Sequence, residues 1–145
     1  MKKTNNKGFS LVELIIVIAI MAVLIAVLAP QFLRYVERSR YQKDMTAVGE
    51  LQHAMQVAAS NETAVAAVTT WPVTATIAHA TGIVTWTNAA EGDAFVNEVN
   101  STIMGAAGTV CDLNFTSTTI IGGSDITIVI TNTGITTLTN ANVAP

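Results

Sequence analysis

The chain has 145 residues, 50% of them hydrophobic, and a formal net charge of −3 at pH 7. Its charges are separated along the sequence, because no Lys or Arg follows Lys43 whereas eight acidic residues lie from Asp44 to Asp125. An acidic region repels the phosphates of nucleic acid, so no nucleic-acid site is expected there. Cys111 is the single cysteine, which excludes an intramolecular disulfide.

The first element in chain order is an apolar segment near the N-terminus. Sixteen consecutive apolar residues run from Leu14 to Ala29, and the segment reaches back to Phe9 if Ser10 and Glu13 are included. A membrane-spanning helix needs roughly 20 residues. The length therefore fits a membrane span, provided that the carboxylate of Glu13 is tolerated.

Two interpretations of this segment need no partner protein. A secretory signal peptide would use the three preceding lysines as its basic region, but Pro30 directly after the nearest small-residue cleavage site argues against it. A plain membrane anchor would use Ser10 and Glu13 as a capping box, since they have the S-x-x-E spacing. That places the carboxylate near the membrane surface, where the cost is below the ~2.5–3.5 kcal/mol of a charge at the bilayer centre.

A more specific signal is the string KGFSLVELIIVIAI. It resembles the class III signal of type IV pilins, the N-methylphenylalanine family, in which a basic leader ends in Gly, Phe follows, and Glu stands four residues after the Phe. Gly8, Phe9 and Glu13 occupy those positions. The resemblance implies that a prepilin peptidase removes the leader 1–8 by cutting between Gly8 and Phe9, and methylates the new amino terminus of Phe9.

The same resemblance implies a role in assembly for Glu13. In the family, the equivalent glutamate pairs with the amino terminus of a neighbouring subunit, which here would be Phe9 of the next chain. An unpaired charge in an apolar bundle is costly, whereas a paired charge specifies register. Residues 9–30 would then form the transmembrane segment before assembly and the filament core afterwards.

By this resemblance the chain is a structural subunit, the major pilin, of a type IV pilus. It would be a single-pass cell membrane protein before assembly and part of an extracellular filament afterwards, serving adhesion, motility or DNA uptake. The implied partners are other copies in a helical homopolymer, the prepilin peptidase, the pilus assembly machinery and the inner or cytoplasmic membrane. Two alternatives stay open: a pseudopilin of a type II secretion or competence system, and a monomeric membrane-anchored surface binding module.

The string PQFLRYVERSR, together with the lack of a second cysteine, resembles pilins of Gram-positive, clostridia-like bacteria. Pro30 opens this string and is the expected position of a helix break, because proline lacks an N–H and clashes with the preceding turn. In pilins, a proline here coincides with a segment that loosens when subunits associate.

A second helical period follows over 31–60, so one long helix is predicted from Ser10 to about Ser60. Its apolar stripe recurs at intervals of three and four residues: Phe32, Leu33, Val36, Met45, Val48, Leu51, Met55 and Ala58. The opposite face is polar and is predicted to contact solvent or the acids of a neighbouring subunit: Arg34, Glu37, Arg38, Arg40, Lys43, Asp44 and Gln52. Pairs at helical spacing are Arg34 with Glu37 and Arg40 with Asp44.

Residues 61–108 are predicted to be a connecting region with one short helix, from Asp93 as cap to Met104 before Gly105. Residues 109–145 are predicted to form an antiparallel β-meander packed against the upper half of the long helix. Its strands are Thr109–Thr116, Thr118–Ile121, Ile126–Thr131 and Ile135–Thr139. The expected fold class is therefore α+β, and the resemblance implies the pilin lollipop.

No catalytic or cofactor site is expected. His53 and His79 have no acid or Cys at metal-ligand spacing, and no nucleophile, base and orienting group come together in the sequence. Trp71 and Trp86 are assigned to core or interface packing rather than to sugar binding. Three N-x-[ST] sequons, at Asn61, Asn100 and Asn114, are attributed to the abundance of Asn and Thr.

Overall fold

The computed structural model describes residues 8–104, 111–121, 123–134 and 136–139. The chain divides into two compact units, Met1–Val36 and Glu37–Pro145. Its elements, in chain order, are α1 (Leu11–Ser60), α2 (Glu62–Ala67), β1 (Val73–Ile77), β2 (Val84–Thr87), α3 (Ala94–Met104), α4 (Thr118–Ile121), β3 (Ile126–Ile130) and β4 (Thr136–Thr139). The predicted α+β class, with one long N-terminal helix and a four-stranded antiparallel sheet, is confirmed.

The N-terminal unit consists of the first half of α1. Every large apolar side chain from Phe9 to Leu33 is exposed, and the segment is long and apolar enough to cross a membrane. The helix continues through Pro30, although proline offers no N–H to the carbonyl of Ala26. The predicted helix break is thus not a feature of the isolated chain, and loosening at Pro30 on assembly stays a prediction.

The second unit is built around the second half of α1. Val48, Leu51, Met55 and Ala58 of the predicted stripe are fully buried. Their spacing of three and four residues turns them to one side of the helix, where they meet the strands and α3 in a single apolar cluster. The C-terminal part of the predicted stripe is therefore confirmed, whereas Phe32 and Leu33 are exposed in the other unit.

Asp44 does not lie on a solvated face, so this prediction is wrong. Its side chain is 1% exposed. The carboxylate accepts hydrogen bonds from the backbone N–H groups of Thr116, at 2.8 Å, and Ser117, at 2.6 Å. These bonds replace the predicted ion pair with Arg40. A buried carboxylate is stable only when such donors satisfy it.

The sheet has the strand order β2-β1-β3-β4, with every neighbouring pair antiparallel. Two of its strands, β1 and β2, lie within 61–108, where the sequence predicts only a short helix. The predicted hairpin of β3 and β4 is confirmed in register, with Ile130 opposite Thr136. Gly134 between them adopts φ +80°, a conformation that favours glycine.

The two other predicted strands are wrong in the described residues. Residues 118–121 form the helix α4, and 111–117 contain only an isolated bridge of Asp112 to Ile83. Cys111 and Phe115 are buried, as their alternation predicts. The N–H groups of this segment are taken by other acceptors: Leu113 donates to the carbonyl of Gly82, and Thr116 and Ser117 donate to Asp44. Part of the predicted meander lies outside the described residues: Thr109, Val110, Gly122, Ile135 and 140–145.

The short helix α3 begins one residue after Asp93, close to the prediction. Its apolar face is buried through Phe95, Val96 and Val99. The carboxylate of Asp93 accepts from the N–H of Ala90, at 2.8 Å, and so closes the turn before the helix. Asp93 thus stands at the predicted cap position, but its side chain accepts from a residue that precedes the helix. Gly105, the predicted stop, lies outside the described residues.

Candidate assembly site

The predicted processing residues lie at the start of α1, before its first turn. Gly8 and Phe9 precede the helix, and 88% of Phe9 is exposed. A peptidase must reach an extended backbone at its cleavage site. The Gly8–Phe9 bond lies outside the helix, whose hydrogen bonds begin when Leu14 N–H donates to the carbonyl of Ser10, and cleavage at this bond stays a prediction.

Ser10 and Glu13 form the predicted capping box. The Glu13 carboxylate accepts from the backbone N–H of Ser10 at 2.9 Å. The Ser10 hydroxyl oxygen in turn accepts from the N–H of Val12 at 3.3 Å. Two N–H groups of the first turn are thereby satisfied, which stabilises a helix start by about 1 kcal/mol. The capping role of Glu13 is confirmed, and its pairing with another chain stays a prediction.

The helix that follows carries an apolar surface on all of its sides. No residue of its most apolar 18-residue stretch is buried. Soluble monomers rarely expose apolar patches beyond a few hundred Å². A fully exposed apolar helix of this length is therefore a surface for lipid or for other helices, and Glu13 lies in its first turn.

Residues 3–29 match a family model described as the prokaryotic N-terminal methylation motif. The chain carries the N-terminal methylation motif of the type IV pilins. The matched residues include Gly8, Phe9 and Glu13, and Pro30 directly follows the last of them. This family match agrees with the resemblance of the string KGFSLVELIIVIAI.

The curated relatives of this sequence include three chains named type IV major fimbrial protein FimA, from Dichelobacter nodosus. Each is 39% identical over 54 residues. The match covers 37% of this chain and about a third of each relative, 34% or 35% of its length. No solved structure matches the chain significantly. These relatives give no support to a Gram-positive source.

The two tryptophans of the second unit take part in core packing. Trp71 and Trp86 make edge-on contacts with Phe95, at ring-centroid distances of 5.8 and 6.5 Å, as expected for core packing. No group of three or more His, Cys, Asp or Glu side chains could hold a metal ion in the described part of the chain. No short-range pattern marks Asp44 as a buried acceptor, because its donors lie more than 70 residues away.

Proposed function

We propose that the chain is a structural subunit, the major pilin, of a type IV pilus. The observation that carries the proposal is the exposed apolar helix that begins at Leu11, shortly after the Gly8–Phe9 junction. Such a helix needs a bilayer before assembly and a bundle of like helices afterwards. The relatives named as major fimbrial proteins support the proposal, because each is 39% identical to this chain over 54 residues.

Processing and assembly are linked through the amino terminus. Cleavage after Gly8 converts Phe9 from an internal residue into the carrier of a positive charge. In an apolar bundle that charge requires a carboxylate, and Glu13 supplies one within the same apolar segment. Pairing of Phe9 with Glu13 of a neighbouring subunit satisfies both groups and sets the stagger between helices.

In this proposal the chain exists first as a membrane-bound precursor and then as an assembled subunit. The precursor is a single-pass membrane protein with a cytoplasmic leader, which the prepilin peptidase cuts. The membrane machinery of the pilus then adds the subunit to an extracellular homopolymer. The chain acts as a structural element and not as an enzyme.

The proposal is tested on filaments sheared from the source cells. Intact-protein mass and N-terminal sequencing of those filaments should give this chain as the main component, beginning at a methylated Phe9. A chain that keeps Met1 and stays monomeric in the membrane would sink the proposal and favour the anchored binding module. A chain that is cut and methylated but absent from surface filaments would favour a pseudopilin.

A further inference from the structure

The solvent-facing side of the sheet carries almost nothing but threonine. The register places its residues in two rows across all four strands. One row is Thr85, Thr76, Thr127 and Thr139, and the other is Thr87, Thr74, Val129 and Thr137. All eight are exposed or half-exposed. We call this surface the threonine face, and it contains no charged side chain.

The hydroxyls of the threonine face are largely free for an outside partner. Thr85 donates to the backbone carbonyl of Thr76 at 3.1 Å. In the described part of the chain, the other six threonines of the face make no side-chain hydrogen bond. By contrast Thr136, which points to the other side of the sheet, accepts from Gln52 at 2.6 Å.

The opposite side of the sheet packs on the second half of α1. Val73, Ile128 and Ile130 are fully buried there, in the same cluster as Leu51 and Met55 of the helix. The threonine face therefore points away from this half of α1. Packing within the second unit leaves the face uncovered by the helix.

Charge limits which surfaces of two copies can approach each other. From Asp44 onward the chain has no Lys or Arg, and seven of its eight acidic residues are exposed or half-exposed, so this part of one copy repels the same part of another. The threonine face lacks this repulsion. Each hydroxyl is both a donor and an acceptor, so a second copy of the same face supplies matching partners without any charge.

Other occupants fit less well. A sugar-binding face commonly offers aromatic rings for stacking, but Trp71 and Trp86 are engaged with Phe95 and are not part of the threonine face. An anionic partner would find no cation on it. These contrasts select a second copy of the chain.

The area of the face decides the kind of association. Four strands about 4.8 Å apart and four residues of about 3.3 Å each give roughly 250 Å². A stable interface buries about 800 Å² per partner. One pair of faces is therefore too small to hold a dimer, whereas a row of faces displayed along a polymer gains by multivalency.

We propose that the threonine face mediates lateral, face-to-face association of neighbouring filaments of this chain. The inference rests on the proposed pilus function. It adds to that function the surface by which completed filaments bundle. Because the face is uncharged and its surroundings are acidic, bundling should increase as salt screens the repulsion between filaments.

The test uses filaments of the full chain with the double substitution Thr87→Glu and Thr139→Glu. Both positions are exposed and are not cross-strand neighbours, so the fold should tolerate them. The matched control adds the same charge outside the face, with Thr70→Glu and Ser101→Glu, which are also exposed. Bundles are collected by low-speed sedimentation, total filaments by high-speed sedimentation, and both are viewed by electron microscopy.

We expect wild-type and control filaments to enter the low-speed pellet. Most Thr87→Glu/Thr139→Glu filaments should stay out of the low-speed pellet, while their total amount in the high-speed pellet is unchanged. The inference is overturned if wild-type filaments stay single at all salt concentrations, or if the variant bundles like the control. It is also overturned if the folded variant forms no filaments, since the face would then lie inside the polymer. The total yield of wild-type filaments tests the pilus function, and the low-speed pellet tests bundling, so failure of one proposal can be told from failure of the other. If the wild-type chain gives no filaments, both proposals are wrong.

Discussion

The carboxylate of Asp44 accepts a 2.6 Å hydrogen bond from the backbone N–H of Ser117, 73 residues further along the chain. A second bond joins it to the N–H of Thr116. About two turns before Asp44 on α1, Glu37 accepts from the Ser117 hydroxyl at 2.7 Å. Two carboxylates of the helix therefore hold an irregular segment that belongs to no strand of the sheet.

Replacing Asp44 with Ala should destabilise the second unit strongly. The part-buried N–H of Thr116 and the buried N–H of Ser117 would lose their acceptor, and a fully buried unsatisfied donor costs about 1–3 kcal/mol. We expect a loss of roughly 2–5 kcal/mol in the free energy of unfolding, measured by thermal or denaturant unfolding in detergent. The control is the exposed neighbour, Lys43→Ala, and equal stability of the two variants would contradict the anchoring role.

Gly82 is required by its conformation and by its neighbours. It adopts φ +79°, and an added Cβ would lie 2.9 Å from the backbone nitrogen of Asn114 and 3.1 Å from that of Phe115. Gly92 is a matched control, because it has φ +91° and open space. We expect Gly92→Ala to cost about 1–2 kcal/mol for the left-handed backbone alone, and Gly82→Ala to cost clearly more. Similar unfolding midpoints for the two variants would show that the close approach is unimportant.

Periodic, local signals could be predicted from the sequence. The stripe of Val48, Leu51 and Met55, the hairpin around Gly134 and the capping box at Ser10 each depend on residues within a few positions of one another. The processing residues Gly8 and Phe9 are inferred from a motif of the same short range, and their role stays a prediction. These features need no knowledge of the rest of the fold.

Features set by long-range hydrogen bonds could not be predicted. Cys111 and Phe115 alternate in burial like a strand, but the acceptors for this segment's N–H groups are Gly82 and Asp44. The sequence analysis assigns no strand to Val73–Ile77, although this segment alternates in burial and pairs with the nearby β2. Its central place in the sheet depends on β3, which lies far along the chain. A period-2 pattern reports which side is buried and not which partner completes the ladder.

Asp125 makes a pH-sensitive contact with the turn after β1. Its carboxylate accepts from the His79 backbone N–H at 3.0 Å and from the imidazole Nδ1 at 2.6 Å. These bonds, led by the backbone one, lower the pKa of Asp125 below its ordinary value of 3.8. Because the pKa is lower in the folded state, the ionised carboxylate stabilises the fold above pH 3.8, and this contribution is lost as pH falls through the folded pKa.

We expect Asp125→Asn to remove this part of the pH dependence. The effect is small, because half of the Asp125 side chain is exposed. The measurement is the free energy of unfolding of wild type and variant between about pH 2.5 and pH 6, with the exposed Glu91→Gln as control. A constant difference between wild type and Asp125→Asn over this range would refute the linkage.

Cys111 should be unreactive in the folded chain. It is 1% exposed, and burial, with a smaller effect of the Asp112 charge, raises the pKa of its thiol to about 11. Since the thiolate is the nucleophile, alkylation near pH 8 should be slow in native filaments and fast after denaturation. Mass spectrometry after treatment with iodoacetamide measures the modified fraction, and rapid labelling of native filaments would contradict the buried position.

Glu13 has a confirmed local role and a proposed intermolecular one, and two variants separate them. Glu13→Gln keeps an oxygen that can accept from the Ser10 N–H but removes the charge needed by the Phe9 amino terminus. Ser10→Ala removes the hydroxyl acceptor for Val12 and leaves the charge, at a cost of about 0.5–2 kcal/mol in the helix start.

The two variants should therefore differ in assembly and not in processing. We expect Glu13→Gln precursors to insert and be cut normally yet form few filaments, whereas Ser10→Ala should assemble nearly as wild type. Processing is read from the mass of the membrane-bound chain, and assembly from the amount of sheared filament. Normal filament yield with Glu13→Gln would mean that the carboxylate serves only as a cap, because the amide can replace it in that role.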